Sequence, residues 1–100
     1  MDLAFKACTF AAVGTCGQRC TSLRRLIIHE DVFDQFVGKL VKAYGTVKIG
    51  DPLSAETLCG PLHSNQAINI YNNTIEKIKQ SPDAKILCGG KRLNRSGFYV

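Results

Sequence analysis

Apolar residues recur along the chain at spacings that predict three helices. Residues 2 to about 17 are apolar on nearly every side, with only Lys6 and Thr9 polar in the middle. Residues 31–44 repeat apolar positions at three- and four-residue steps, and residues 65–80 do so after Ser64, which can cap a helix. A chain of this length can hardly surround the first helix, so we expect that helix to pack against further protein.

Short continuous apolar runs lie between and after these helices and predict β-strands. The runs within residues 24–29 and 84–90 are unbroken, which is typical of strands covered on both faces. Residues 47–53 resemble a strand that enters a Gly-Asp-Pro turn, and residues 97–100 resemble the start of another strand. The alternation of helix and strand predicts an α/β fold.

Composition narrows the class of protein. One hundred residues make at most one small domain, and 45% hydrophobic with 21% charged residues indicates a globular chain. No apolar run approaches the roughly 20 residues that span a bilayer. No signal peptide is visible, and five irregularly spaced cysteines are a poor disulfide framework, so we expect a reducing compartment. The net charge of +5 could attract an acidic partner, but interleaved acids favour an ordinary solvated surface.

Cys20 is the residue with the clearest chemical potential. It lies in the loop GTCGQRCTSLRR, where Arg19 carries a permanent positive charge that favours the nucleophilic thiolate. Gly17 allows a tight turn or the close approach of a ligand. The backbone N–H of Cys20 could face an oxygen that becomes negative after attack. These features alone leave two hypotheses open, a nucleophile and a small buried side chain.

Other chemistries fit the sequence less well. Cys16 and Cys20 are four residues apart and no C-x-x-C pair occurs, which disfavours a structural zinc site and excludes a dithiol motif. Gly14 and Gly17 form only G-x-x-G at a helix end, unlike the strand-to-helix loops that hold phosphate. Most aromatic residues fall on predicted core faces, which disfavours a platform that stacks nucleic-acid bases.

Four further residues have two interpretations each, and a fifth has no catalytic role. Gln18 either orients the cysteine loop or makes ordinary backbone hydrogen bonds. For Arg24 and Arg25 a solvated strand edge is favoured over an interface. Cys16 is favoured as core filling over a disulfide with Cys20 under oxidative stress. His63, after a Pro-Leu turn, is assigned no catalytic role.

The segment FAAVGTCGQRCTSLRR resembles the active-site segment of the aldehyde dehydrogenase superfamily. In that family an F-x-x-x-G-Q-x-C pattern holds the nucleophile, and here Gly17, Gln18 and Cys20 match it, with Phe10 upstream. RRLIIHEDVFDQFVGKLVKAYGTVKIGDPL, LCGPLHSNQ and ILCGGKRLNRSGFYV are similar, in order, to the segments that follow. GQRCT, which contains Arg19, together with GPLH is similar to the antiquitin branch, the α-aminoadipic semialdehyde dehydrogenases.

The resemblance implies a partial catalytic domain with a mostly parallel sheet flanked by helices, truncated at both ends. Residues 1–100 would be its central fragment, without the NAD-binding domain. Cys20 would attack the aldehyde and form a thiohemiacetal and then a thioester, while Arg19 holds a substrate carboxylate and Thr21 lines the substrate site. The cofactor NAD(P), the general-base glutamate and the oxyanion-hole asparagine would belong to parts of the parent that are absent here.

The implied function is NAD(P)-dependent oxidation of an aldehyde, α-aminoadipic semialdehyde, in lysine catabolism. We expect a small-molecule substrate, no nucleic-acid or membrane partner, a homo-oligomeric parent, and a cytoplasmic or mitochondrial location. The isolated fragment is expected neither to bind NAD nor to turn over substrate. The alternatives are a non-catalytic basic domain that binds an acidic partner or nucleic acid, and a translated gene fragment without independent function.

Overall fold

The computed structural model describes residues 2–100, and its regular elements are helices. Helix α1 spans Asp2–Val13, α2 spans Glu30–Gly45 and α3 spans Asn65–Gln80. A short 3₁₀ turn, Gly14–Gly17, follows α1. All three predicted helices are confirmed, although the α-helical part of the first ends at residue 13. Within the described residues, no helix is both long enough and apolar enough to cross a membrane.

Side chains just before α2 and α3 satisfy the free N–H groups of their first turns. Ser64 Oγ accepts a hydrogen bond from the Ala67 N–H at 3.2 Å, which confirms the predicted cap. His29 plays the same part for α2, since its Nδ1 accepts from the Asp31 N–H at 3.3 Å. Each helix therefore begins where its own sequence supplies an acceptor.

None of the predicted strands forms a ladder within residues 2–100. Residues 24–29, 84–90 and 97–100 lie outside regular structure, and residues 47–53 contribute only one isolated parallel bridge, between Ile49 and Cys59. The prediction of strands is therefore not met in this part of the chain. An apolar run determines which faces a strand can bury, but a strand forms only when a neighbouring backbone completes its hydrogen bonds.

The core of the described residues is small. Phe36 and Ile68, which are 6% and 1% exposed, are its buried hydrophobic residues, and α1 has no buried residue. The accessible surface is 7621 Å², whereas a compact monomer of 11.0 kDa exposes about 5,600 Å². Apolar surface that a self-sufficient domain would bury is thus open, as expected for a helix that is apolar on nearly all sides.

Helix α1 lies against α2 through one aromatic pair and one ion pair. The rings of Phe5 and Phe36 meet edge to face, with centroids 6.4 Å apart. Lys39 Nζ lies 3.0 Å from Asp2 Oδ1 and lowers the pKa of that carboxyl, mainly by its hydrogen bond. Because Asp2 is exposed to solvent, the ion pair adds little stability, and the aromatic contact is the main attachment.

An apolar groove of about 500 Å³ separates α2 from α3. Leu26 and Ile28 of the first predicted strand line it, as do Ile86 and Leu87 of a later one. The two segments that the sequence predicts as buried strands therefore border the same groove without pairing.

We expect Ile68→Ala to lower the free energy of unfolding by about 2–5 kcal/mol, because it removes the most buried side chain and leaves a cavity. Ile27 is 99% exposed, so Ile27→Ala should change that free energy by less than about 0.5 kcal/mol. Urea unfolding, followed by the helical circular dichroism signal, measures the free energy of unfolding of both variants. Equal destabilisation by the two substitutions would contradict the assignment of Ile68 to the core.

Candidate functional site

The backbone turns in a left-handed sense between α1 and Cys20. Thr15 has φ 55°, Cys16 has φ 53° and Gly17 has φ 67°. Left-handed conformation costs roughly 1–2 kcal/mol for each residue other than glycine. Only Gly17 adopts it without that cost. A turn of this kind persists only where surrounding contacts hold it.

Gln18 fastens this turn to residues 61–63. Its Oε1 accepts a hydrogen bond from the His63 N–H at 2.9 Å and also lies 2.9 Å from His63 Nδ1. Its Nε2 donates to the Pro61 carbonyl at 3.4 Å and to the Thr15 carbonyl at 3.3 Å. Of the two interpretations of Gln18, the structure supports loop orientation. His63 has a structural role as the hydrogen-bond partner of Gln18, and the absence of a catalytic role for His63 stays a prediction.

Arg24 holds the same loop from the other side. Its Nη1 donates to the Ser22 carbonyl at 2.9 Å, and its Nη2 contacts the carbonyls of Gly17 at 3.4 Å and Arg19 at 3.3 Å. These carbonyls lie on both sides of Cys20, so one guanidinium ties the ends of the cysteine loop together. Arg24 is exposed, in agreement with the favoured solvated position, but residues 24–29 form no strand and its guanidinium instead bonds carbonyls of the loop.

Cys20 lies at the centre of a tight turn. The Ser22 N–H donates to the Arg19 carbonyl at 3.2 Å, and the Arg19 N–H donates to Ser22 Oγ at 3.1 Å. Cys20 and Thr21 are the two central residues of this turn, and both are exposed. Within residues 2–100 the Cys20 N–H makes no hydrogen bond. The thiol of Cys20 and a free backbone donor are therefore presented together.

Arg19 lies back over α1. Its Nε donates to Thr15 Oγ1 at 3.1 Å, and its Cζ lies 4.7 Å from the centroid of the Phe10 ring, a cation–π contact. A Cβ at residue 14 would overlap the guanidinium, so Gly14 is required for this position. Within the described residues, Nη1 and Nη2 of Arg19 make no hydrogen bond. These two nitrogens remain available to a carboxylate.

A cleft of about 810 Å³ opens beside this loop. Arg19 and Cys20 both line it, together with Arg24, His63 and Tyr71. Burial raises the pKa of the Tyr71 phenol, so the Tyr71 side chain is uncharged at neutral pH. The structure thus brings together two of the three predicted site residues in one cavity. The third, Thr21, is exposed but does not line the cleft.

This chain is similar to known proteins along its whole length. The model of the aldehyde dehydrogenase family matches residues 1–100. The chain belongs to the aldehyde dehydrogenase family. It is 47% identical over 100 residues to aldehyde dehydrogenase family 7 member A1 of Brassica napus, covering all of this chain and 20% of that relative. It is 41% identical over 100 residues to the alpha-aminoadipic semialdehyde dehydrogenase of Bos taurus, covering 18% of that relative.

Solved structures of the family agree with this assignment. An aldehyde dehydrogenase from Bacillus cereus superposes with a TM-score of 0.93 at 29% identity, over 99% of this chain and 20% of that chain. A betaine aldehyde dehydrogenase from Staphylococcus aureus, solved in complex with NAD⁺, gives a TM-score of 0.90 at 26% identity, over 98% and 20% of the two chains. The resemblance to the antiquitin branch is confirmed by the family 7 relatives, of which this chain spans about a fifth.

We expect Gln18→Ala to accelerate amide hydrogen exchange at His63 about fivefold, because the substitution removes a hydrogen bond worth about 1 kcal/mol. Gln66→Ala, at an exposed position of α3, is the matched control and should leave that rate unchanged. Exchange measured residue by residue by NMR distinguishes the two variants. If the His63 amide exchanged equally fast in both, Gln18 would not hold residues 61–63.

Proposed function

We propose that this chain carries the nucleophile and part of the substrate site of an NAD(P)-dependent aldehyde dehydrogenase of the antiquitin type. The observation that carries the proposal is the exposed Cys20 in a tight turn, in the same cleft as an Arg19 with two unengaged nitrogens. Membership of the aldehyde dehydrogenase family supports the reaction class. The relative from Bos taurus, named for α-aminoadipic semialdehyde, supports the substrate class.

The proposed chemistry begins with addition of the Cys20 thiolate to the aldehyde carbon. The carbonyl π-electrons move to oxygen, and the Cys20 N–H, which has no other acceptor in residues 2–100, donates to that oxyanion. A bound NAD(P) would accept hydride from the tetrahedral carbon, which would leave a thioester on Cys20. Water cleaves the thioester, which releases the carboxylic acid and returns the thiol. Covalent attack comes first because a bare carbonyl does not readily release hydride.

Arg19 is proposed to select the substrate. A planar guanidinium binds a carboxylate through two parallel hydrogen bonds, and Nη1 and Nη2 of Arg19 are free for that purpose. Contacts with Phe10 and Thr15 hold the side chain in place before substrate arrives, which reduces the conformational entropy lost on binding. An aldehyde that carries a carboxylate is therefore the expected substrate. The contact of Thr21 with the substrate stays a prediction from the resemblance.

NAD(P) is the proposed hydride acceptor, supported by the NAD⁺ complex of the Staphylococcus aureus relative. We propose that residues 2–100 do not supply the dinucleotide site. Gly14 and Gly17 follow α1 and precede a loop, whereas a pyrophosphate site needs a glycine-rich turn between a strand and the start of a helix. We therefore assign the cofactor to other parts of the parent enzyme, where it would supply the hydride acceptor.

The complete activity is proposed for a longer parent, because this chain spans 18–20% of the length of its relatives. In that parent we expect the segments that border the apolar groove to pair within a mostly parallel sheet, and a homo-oligomer in the cytoplasm or the mitochondrion. The isolated chain is expected to be inactive. Family membership favours this function over a basic domain that binds nucleic acid or an acidic protein.

We expect Cys20→Ala in the full-length parent to reduce kcat/KM for the semialdehyde by at least about 10⁴-fold, because it removes the nucleophile. Cys88→Ala is the matched control, since Cys88 is also exposed but does not line the cleft. NAD(P)H absorbance measures the rate. Activity of the Cys20→Ala enzyme close to that of the control would sink the proposal.

We expect Arg19→Leu to raise KM for α-aminoadipic semialdehyde about 10- to 100-fold, the loss of a charge-assisted pair worth about 1.5–3 kcal/mol. KM for an unbranched aldehyde without a carboxylate should change by less than about twofold, because that substrate offers nothing to the guanidinium. Steady-state kinetics on the two substrates separates the roles. A parallel rise in both KM values would instead assign Arg19 to loop structure.

A further inference from the structure

The fold brings the thiols of Cys16 and Cys59 close together, away from the turn that presents Cys20. We propose that these two cysteines are a redox modification site, at which hydrogen peroxide closes a disulfide between the turn after α1 and residues 59–60. The site is independent of aldehyde oxidation.

Each of the two thiols contacts the backbone of the segment that holds the other. Cys16 Sγ donates to the Gly60 carbonyl at 2.8 Å, and Gly60 directly follows Cys59. Cys59 Sγ donates to the carbonyl of Val13, at 3.7 Å, three residues before Cys16. Both side chains line one cavity of about 240 Å³. This reciprocal arrangement places the two thiols side by side at one cavity.

The backbones that carry the two thiols are held in place. Cys59 makes the parallel bridge to Ile49, with its N–H donating to the Lys48 carbonyl at 3.1 Å and its carbonyl accepting from Gly50 at 3.0 Å. Cys16 lies in the left-handed turn, at φ 53°. Backbone hydrogen bonds and the turn thus position both segments, and with them the two thiols.

Burial is the main cause that raises the pKa of Cys16 to about 12, so its thiol stays protonated at neutral pH. The thiolate is the form that attacks peroxide, so oxidation of the pair requires loss of a thiol proton. Both cysteines are only half-buried, which leaves peroxide a path to the cavity.

Hydrogen peroxide is the oxidant that forms the disulfide, in two steps. The sulfur of one of the two cysteines loses its proton, attacks one peroxide oxygen and becomes a sulfenic acid, and the other oxygen leaves as water. The sulfur of the other cysteine then loses its proton, attacks the sulfenic sulfur, and expels the second oxygen as water. Two thiols and one peroxide thus yield one disulfide and two waters, with the sulfurs oxidised and the peroxide reduced.

The structure also separates this pair from the alternative that spacing suggests. Cys20 lies four residues after Cys16 in the sequence, but it is exposed at the centre of its own turn. Cys59 is 43 residues away in sequence, yet it exchanges thiol-to-backbone contacts with the segment of Cys16. The catalytic thiol is therefore left free when the pair closes.

The test treats the 100-residue chain with hydrogen peroxide in native buffer and maps disulfides by mass spectrometry of non-reduced peptides. We expect a monomer about 2 Da lighter, with one dominant link between Cys16 and Cys59. Cys59→Ser should abolish that link. Cys8→Ser, at another half-buried cysteine, is the matched control and should retain it.

A second arm repeats the oxidation in urea, where the contacts of the fold are lost. A mixture of pairings in urea, against one dominant pairing in native buffer, supports a site built by the structure. Dominant links that contain Cys20 or Cys88 in native buffer would overturn the proposal, as would the same mixture of pairings under both conditions. Neither result depends on whether the parent oxidises aldehydes.

Discussion

The presentation of Cys20 depends on a left-handed turn that the chain adopts at a cost. Thr15 and Cys16 both have positive φ, which is unfavourable by roughly 1–2 kcal/mol each. The Gln18 amide on one side and the Arg24 guanidinium on the other supply the hydrogen bonds that offset this cost. A rigid turn suits a nucleophile, because a displacement of the sulfur by even about 1 Å can slow a reaction about a hundredfold.

The position of Arg19 follows from the same turn. Gly14 leaves room for the guanidinium, and the Phe10 ring and Thr15 hydroxyl hold it there. A bulkier residue at position 14 would displace a side chain that is adjacent to Cys20 in sequence but supported by α1. The positions of Arg19 and Cys20 are thus coupled through one stretch of backbone, from Gly14 to Cys20.

The rest of the chain supports this loop but leaves much of its own surface open. Two side chains, Phe36 and Ile68, make up the buried core of the described residues, and the accessible surface is well above that of a compact monomer. The groove between α2 and α3 is lined by the segments that the sequence predicts as buried strands. The chain spans about a fifth of its relatives' length, and its described residues leave apolar faces without partners.

The sequence by itself determined the three helices, the cap at Ser64 and the identity of the cysteine loop, because periodicity, capping and motif matches are all local properties. Only the tertiary structure decided which residues hold the loop. His63 is 45 residues from Gln18, and Cys59 is 43 from Cys16, so no local pattern could pair them. The predicted strands failed within the described residues for the same reason: a strand requires hydrogen bonds from another backbone, which its own sequence does not specify.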